Sequence, residues 1–144
     1  MTTKIDTVEL APYIMFNGTC SDAIHFYQSV LDARIRSSMT YGEMPECAEM
    51  PENAKGLIVN AQLVLPGGAL LMAGDAPPHM PYDGIRGVSI SLNYASAHEA
   101  ERVFSLLADG GEMLMPFGPT FWAKGFGMAK DKFGVDWIVN GELL

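Results

Sequence analysis

Residues 126–140 read FGMAKDKFGVDWIVN, the stretch of the sequence that is most informative about the fold. Two apolar segments flank a tight Asp-Lys-Phe-Gly, which is the pattern of a β-hairpin closed by a short turn containing glycine. An earlier pair of apolar segments, 57–65 and 70–73, is joined in the same way through Pro66-Gly67-Gly68. The second hairpin therefore indicates a repeated unit.

The segments ahead of each hairpin repeat as well. Hydrophobic alternation predicts strands over 12–16, 33–41, 88–92 and 112–115, and the second hairpin over 125–131 and 135–140. Helical spacing predicts a helix over 20–31, with Thr19 as its N-cap, and a second helix from the capping-box pattern Ser96–Glu99 to Ala108. Each unit thus has the order β-α-β-β-β.

A half of this size exposes one face of a small sheet and is marginal alone, so we expect the two halves to share a core. We predict an α+β fold in which two βαβββ modules form a curved, mostly antiparallel half-barrel sheet with the helices outside. The modules span about 10–76 and 88–144, and the segment at about 77–87, rich in Pro and Gly, links them within a single domain, 1–144.

The composition excludes several classes of partner. The chain has 144 residues, a formal charge of −8 and a sequence pI near 4.7, with no run of Lys or Arg. Nucleic acids and anionic membrane surfaces both require a basic patch, so neither is expected as a partner. Two cysteines do not suggest a disulfide framework, and the first residues lack the apolar core of a signal peptide, which together favour a cytoplasmic location.

Four stretches resemble the vicinal-oxygen-chelate superfamily, the fold of glyoxalase I, extradiol dioxygenases and bleomycin-resistance proteins, and most closely its PhnB-like branch. They are PYIMFNGTCSDAIHFYQSVL (12–31), YGEMP (41–45), LLMAGDA (70–76) and FWAKGFGMAKDKFGVDWIVN (121–140). The last is the most specific, because Phe121, Trp122, Phe126-Gly127, Asp131, Phe133-Gly134 and Trp137 fall at the spacing of the branch.

Some members of this branch carry a label as ubiquinone-pathway methyltransferases, an activity that the residues here do not indicate. No Gly-rich loop follows the first strand, and no acidic residue stands where it would hold a ribose. The β-α-β-β-β order also differs from the alternating pattern of a doubly wound sheet.

The resemblance implies a divalent metal held by His, Glu or Gln on inward strand positions. In this chain those positions fall near Pro12, Leu70–Ala73, Val88 and Ile138, none of which offers such a side chain. Where the branch often has a histidine, this chain has Asn60, whose amide is a poor metal ligand. We therefore expect no metal at the superfamily site and no cofactor.

The remaining possible ligands are better explained as solvated groups. His25 and His98 lie on the polar faces of their helices, and His79 in the linker could reach a cavity mouth. The acidic loop from Glu43 to Glu52, which includes Cys47, is more typical of a solvated surface than of a metal site.

Three functions stay open at this point. The first is a small-molecule-binding protein whose cavity is lined by Phe16, Asn60, Gln62, Met72, Trp122 and Phe126, with Glu43 or His79 from loops. The second is a metal-dependent glyoxalase- or dioxygenase-type enzyme, and the third is an antibiotic-sequestering protein of the bleomycin-resistance type, which the negative charge suits. Unpaired sheet edges predict a homodimer, and Trp137 is assigned to the core.

Overall fold

The structure, a computed structural model, describes residues 6–144. The strands are β1 (Tyr13–Phe16), β2 (Arg34–Thr40), β3 (Ile58–Val64), β4 (Leu70–Asp75), β5 (Ser89–Tyr94), β6 (Glu112–Gly118), β7 (Ala123–Lys130) and β8 (Asp136–Leu143). The helices are α1 (Cys20–Val30) and α2 (Ala97–Ala108), and three short 3-10 turns lie between β2 and β3. Neither of these two helices is long and apolar enough to span a membrane.

The strands form two four-stranded sheets of identical topology. Sheet 1 has the order β1-β4-β3-β2 and sheet 2 the order β5-β8-β7-β6. In each sheet the first strand of the module runs parallel to the fourth, and the other neighbours are antiparallel. This confirms the α+β fold built from two βαβββ modules, although over residues 6–144 the strands form two sheets with no ladder between them.

Side chains on one face of each sheet pack against the helices. In β3 the buried residues Ala61 and Leu63 face inward, as alternation along a strand requires. In sheet 2 the inward positions are small: a Cβ at Gly127 would lie 2.6 Å from the Phe104 ring of α2. The resulting core is continuous and takes buried residues from both modules.

The turn between β7 and β8 is organised by the buried carboxylate of Asp131. Its Oδ1 accepts hydrogen bonds from the backbone N–H groups of Phe133 (2.9 Å) and Val135 (3.1 Å). Gly134 adopts a φ of 92°, the left-handed region that favours glycine in such turns. The geometry of the turn thus follows directly from the Asp-Lys-Phe-Gly sequence.

The same carboxylate also joins the two modules. Asp131 Oδ2 accepts from the Tyr27 hydroxyl of α1 at 2.6 Å and from the Trp137 indole Nε1 of β8 at 2.8 Å. Trp137 is 1% exposed, which confirms its assignment to the core. The rings of Tyr27 and Trp137 meet edge to face with centroids 5.4 Å apart.

A second buried carboxylate, Asp75 at the end of β4, caps helix α1. Its Oδ1 accepts from the backbone N–H groups of Gly18 (2.9 Å) and Cys20 (3.0 Å), and its Oδ2 from that of Ile58 (2.9 Å). Thr19 occupies the predicted N-cap position, but its side chain makes no capping hydrogen bond. The cap therefore comes from a strand distant in sequence.

Candidate functional site

Each sheet has a second face that the helices do not cover, here called the open face. On sheet 1 it carries Tyr13, Gln62 and Met72, which stand side by side because Tyr13 pairs with Met72 and Met72 pairs with Gln62. On sheet 2 it carries Asn93, Asn140 and Phe126, which are likewise in register across β5, β8 and β7. These side chains have the orientation needed to contact a ligand.

The polar side chains on the open face of sheet 1 differ in whether they are hydrogen-bonded within the protein. The guanidinium Nε of Arg36 donates to Gln62 Oε1 at 3.0 Å, which orients that amide. The Tyr13 hydroxyl donates to the Val59 carbonyl at 2.7 Å. It lies over Gly74, where a Cβ would clash with it. For Asn60 no side-chain hydrogen bond is found within residues 6–144, so its amide is available to a ligand.

The open face of sheet 2 has an aromatic cluster next to a chain of amides. The rings of Trp122 and Phe126 meet edge to face with centroids 5.1 Å apart, and Phe121 lies 4.9 Å from Trp122. The Trp122 Nε1 donates to Asn140 Oδ1 at 3.2 Å, and Asn140 Nδ2 donates to Asn93 Oδ1 at 3.0 Å. Trp122 remains 38% exposed despite these contacts, so one side of its ring can receive another group.

The structure divides the expected cavity residues between the two sheets. Asn60, Gln62 and Met72 lie together on sheet 1, whereas Trp122 and Phe126 lie together on sheet 2. Asn60 and Phe126 occupy equivalent positions, because each is five residues ahead of its hairpin turn, which starts at Leu65 and at Asp131 respectively. The sequence analysis predicted strands at both positions but treated the two residues as lining one cavity, whereas they belong to separate sheets.

Three expected contributors lie elsewhere. Phe16 is 1% exposed and packs against Tyr27 and Phe133, because alternation along β1 turns it towards the core. Glu43 is exposed on a short turn, where its Oε1 accepts from the Thr40 backbone N–H at 3.1 Å. His79 is exposed in the linker and lines none of the cavities described below.

A cavity that was not predicted lies along a seam between the two sheets. It has a volume of about 610 Å³ and is bounded by β1, by the linker and by the start of β5. The Tyr82 hydroxyl donates to the Met15 carbonyl at 2.8 Å, which ties the linker to β1 at the cavity wall. The alternation of β1 was the available signal, since it turns Tyr13 and Met15 away from the core.

The side chains present do not fit the divalent metal that the superfamily implies. The open-face residues of β1, β4, β5 and β8 are Tyr13, Met15, Leu70, Met72, Gly74, Ser89, Ser91, Asn93, Asp136, Ile138 and Asn140. The carboxylate in this set is Asp136, and the Lys130 Nζ lies 2.9 Å from its Oδ1. Glu142, near the end of β8, is likewise ion-paired, with the Lys124 Nζ 2.6 Å from its Oε2. Within residues 6–144 no three His, Cys, Asp or Glu side chains come together, but metal content itself stays a prediction.

The buried thiol of Cys20 is not suited to nucleophilic chemistry. Burial, assisted by the nearby Asp75 carboxylate, raises the pKa of Cys20 to about 12. Since the thiolate is the reactive form of cysteine, this thiol is inert near neutral pH. Burial and the adjacent Asp131 also raise the pKa of the Tyr27 hydroxyl, which therefore stays protonated as a hydrogen-bond donor.

The chain matches proteins of known sequence and structure over nearly its whole length. A family model described as 3-demethylubiquinone-9 3-methyltransferase matches residues 8–140. Protein YjdN of Escherichia coli is 34% identical over 142 residues, covering 91% of this chain and 93% of YjdN.

Solved structures agree with these matches. The protein PA1353 from Pseudomonas aeruginosa is 45% identical and superimposes with a TM-score of 0.86, covering 94% of this chain and 98% of PA1353. A PhnB protein from Bacillus cereus, described as a putative 3-demethylubiquinone-9 3-methyltransferase, is 27% identical with a TM-score of 0.76 over 93% of this chain and 99% of its own. A glyoxylase/bleomycin-resistance-type domain only 14% identical shares the fold alone.

The fold and the open faces define a glyoxalase/bleomycin-resistance-like protein. Within that class, the chain belongs to the PhnB-like branch of the vicinal-oxygen-chelate superfamily, to which the matched family model corresponds.

Proposed function

We propose that this protein binds a small organic molecule on the open sheet faces without using a metal. The observation that carries the proposal is the arrangement on sheet 2, where the half-exposed Trp122 ring lies against Phe126 and is fixed by Asn140. An aromatic platform beside a few oriented polar groups is typical of ligand sites.

The order of the strands argues against the methyltransferase activity that the matched family model names. Each sheet is mostly antiparallel and has only one parallel pair of strands. A dinucleotide-type or nucleoside-type site is usually built from a parallel βαβ unit in which a glycine-rich turn leads into the helix. Here the N-terminus of α1 is already occupied by the Asp75 carboxylate.

We also propose that two copies of the chain assemble as a homodimer. The strands β1, β2, β5 and β6 are sheet edges, and several apolar side chains near them are exposed, among them Met15, Met39, Met113 and Met115. Unpaired edges with apolar neighbours favour association. A second copy would also enlarge each open face into a deeper cavity.

A comparison of the two tryptophans tests the binding site. Trp137→Ala removes a buried ring and should cost about 3–5 kcal/mol of unfolding free energy, as expected for a large core truncation. Trp122→Ala should leave a folded protein that loses the ligands found by a thermal-shift screen of organic fragments against the wild type. Leu106→Ala, which truncates a similarly exposed side chain on α2, is the matched control and should keep them.

The proposal fails if Trp122→Ala destabilises the protein as severely as Trp137→Ala, since Trp122 would then belong to the core. It fails equally if Trp122→Ala and Leu106→Ala retain the same fragments with the same shifts.

A further inference from the structure

We infer that the open face of sheet 2 selects aromatic molecules that carry a hydrogen-bond acceptor, such as a carbonyl oxygen, and that Asn93 donates to it. This inference rests on the proposed function, because it specifies the chemistry of the ligand that the same face binds.

The direction of the amide chain is fixed from one end. The indole N–H of Trp122 can only donate, so the group facing it must be the carbonyl oxygen of the Asn140 amide. The Asn140 nitrogen then points to the other side and must donate, so the group that receives it must be the carbonyl oxygen of Asn93. No other pairing of the two amides satisfies all three side chains.

This orientation leaves the amide nitrogen of Asn93 as a donor to other groups. Its carbonyl oxygen is directed at Asn140, and within residues 6–144 no acceptor is found for its Nδ2. Asn93 is exposed on the edge strand β5 and also borders a groove of about 380 Å³ between β5 and the turn that follows β3. The row of hydrogen bonds from Trp122 through Asn140 therefore ends at the two N–H groups of the Asn93 amide, which face open space.

The spacing of the strands sets the size of a suitable ligand. Phe126, Asn140 and Asn93 lie on three successive strands, so about 10 Å separates the aromatic platform from the amide donor. A bicyclic aromatic ring with a carbonyl substituent spans that distance, so its ring can lie on Trp122 and Phe126 while its oxygen reaches Asn93.

Two probes of similar size, one with a carbonyl oxygen and one without, show how much the acceptor contributes to binding. 2-Acetylnaphthalene and 2-ethylnaphthalene differ in a carbonyl oxygen, and each is titrated into the isotope-labelled full chain while the side-chain amide resonances are followed by NMR. We expect 2-acetylnaphthalene to bind about threefold to tenfold more tightly, the range for one neutral hydrogen bond. Only this probe should shift the Asn93 side-chain amide.

Variants test whether the hydrogen bonds from Trp122 through Asn140 orient the Asn93 amide as a donor. Trp122→Phe keeps an aromatic ring but removes the indole N–H, so both amides become free to rotate. Both probes should then bind more weakly, and the ratio of their affinities should fall towards one. Asn93→Asp replaces the donor by an oxygen and should abolish the preference. Asn17→Asp makes the same change at an exposed residue after β1 and should retain it.

The outcomes separate the inference from the proposed function. Equal binding of the two probes to the wild type, with the Asn93 amide unshifted, overturns the inference and leaves the binding function standing. A preference that survives Asn93→Asp also overturns it. Failure of both probes to bind overturns the inference and the proposed use of this face together. The wild-type titration decides even if a variant does not fold.

Discussion

Among the described residues, the side chain of Asp131 accepts more hydrogen bonds than any other. Four donors from three elements point at its two oxygens: two backbone N–H groups, a hydroxyl and an indole. It is 2% exposed, and no ion pair of Asp131 is found among the described residues. Hydrogen bonds to a charged acceptor compensate for burying it, since such bonds are stronger than neutral ones.

Replacing this carboxylate by an amide should be costly. In Asp131→Asn one oxygen becomes an NH2 group that faces either the turn N–H groups or the Tyr27 and Trp137 donors. We expect a loss of about 3 kcal/mol or more of unfolding free energy, because hydrogen bonds to a charged group are removed and donors are left unpaired. Urea unfolding measures this loss directly.

Asp83→Asn is the matched control for that change. Asp83 is exposed in the linker, so the same substitution should alter stability by less than about 0.5 kcal/mol. If Asp131→Asn were as stable as this control, Asp131 would not hold the two modules together.

At the scale of the elements, helix α1 begins where a strand of its own sheet ends. Asp75 accepts from the N–H of Cys20, the first residue of the helix, from that of Gly18 just before it and from that of Ile58 in the adjacent β3. The negative carboxylate also lies at the end of the helix where the macrodipole is positive. The helix and the sheet are thereby fixed to each other by one side chain.

Two substitutions distinguish this cap from the one that local sequence suggests. Asp75→Ala should destabilise the protein by about 2–3 kcal/mol, because a buried cap with three backbone donors is lost. Thr19→Ala should cost less than about 0.5 kcal/mol, since its side chain makes no capping bond. Thermal or urea unfolding compares them, and a larger effect from Thr19→Ala would contradict the assignment.

Most elements could be predicted from the sequence because their patterns are local. The alternation in 57–65 and the helical spacing in 20–31 each report one buried face, and the hairpin turns are determined by Gly68 and Gly134. The cap by Asp75 could not be predicted, since it depends on a contact 55 residues away in the chain. The burial of Phe16 follows instead from the alternation of β1, which turns Phe16 to the face opposite Tyr13 and Met15.

At the scale of the whole molecule, the candidate site was predicted only in part. The sequence analysis named Asn60, Gln62, Met72 and Phe126 among the candidates for lining a cavity, and all four lie on open faces. The division of these residues between two sheets, the seam cavity and the amide chain from Trp122 to Asn93 all depend on packing between distant segments. No local pattern encodes such packing.

The protein is expected to be a homodimer in solution. The exposed methionines near the sheet edges should be covered by a second copy, so sedimentation at micromolar concentration should give the mass of a dimer, twice 15.6 kDa. A monomer under these conditions would mean that each open face functions without a partner.

If the open faces bind organic molecules without the superfamily metal, the purified protein should contain almost none of it, and elemental analysis measures this. Protein purified without a tag and without chelators should contain well under one equivalent of zinc, nickel, manganese and iron by elemental analysis. The reason is that Asp136 and Glu142, the carboxylates of β8, are both paired with lysines. A stoichiometric metal that survives mild chelation would rule out metal-free binding and favour a metal-dependent lyase or dioxygenase.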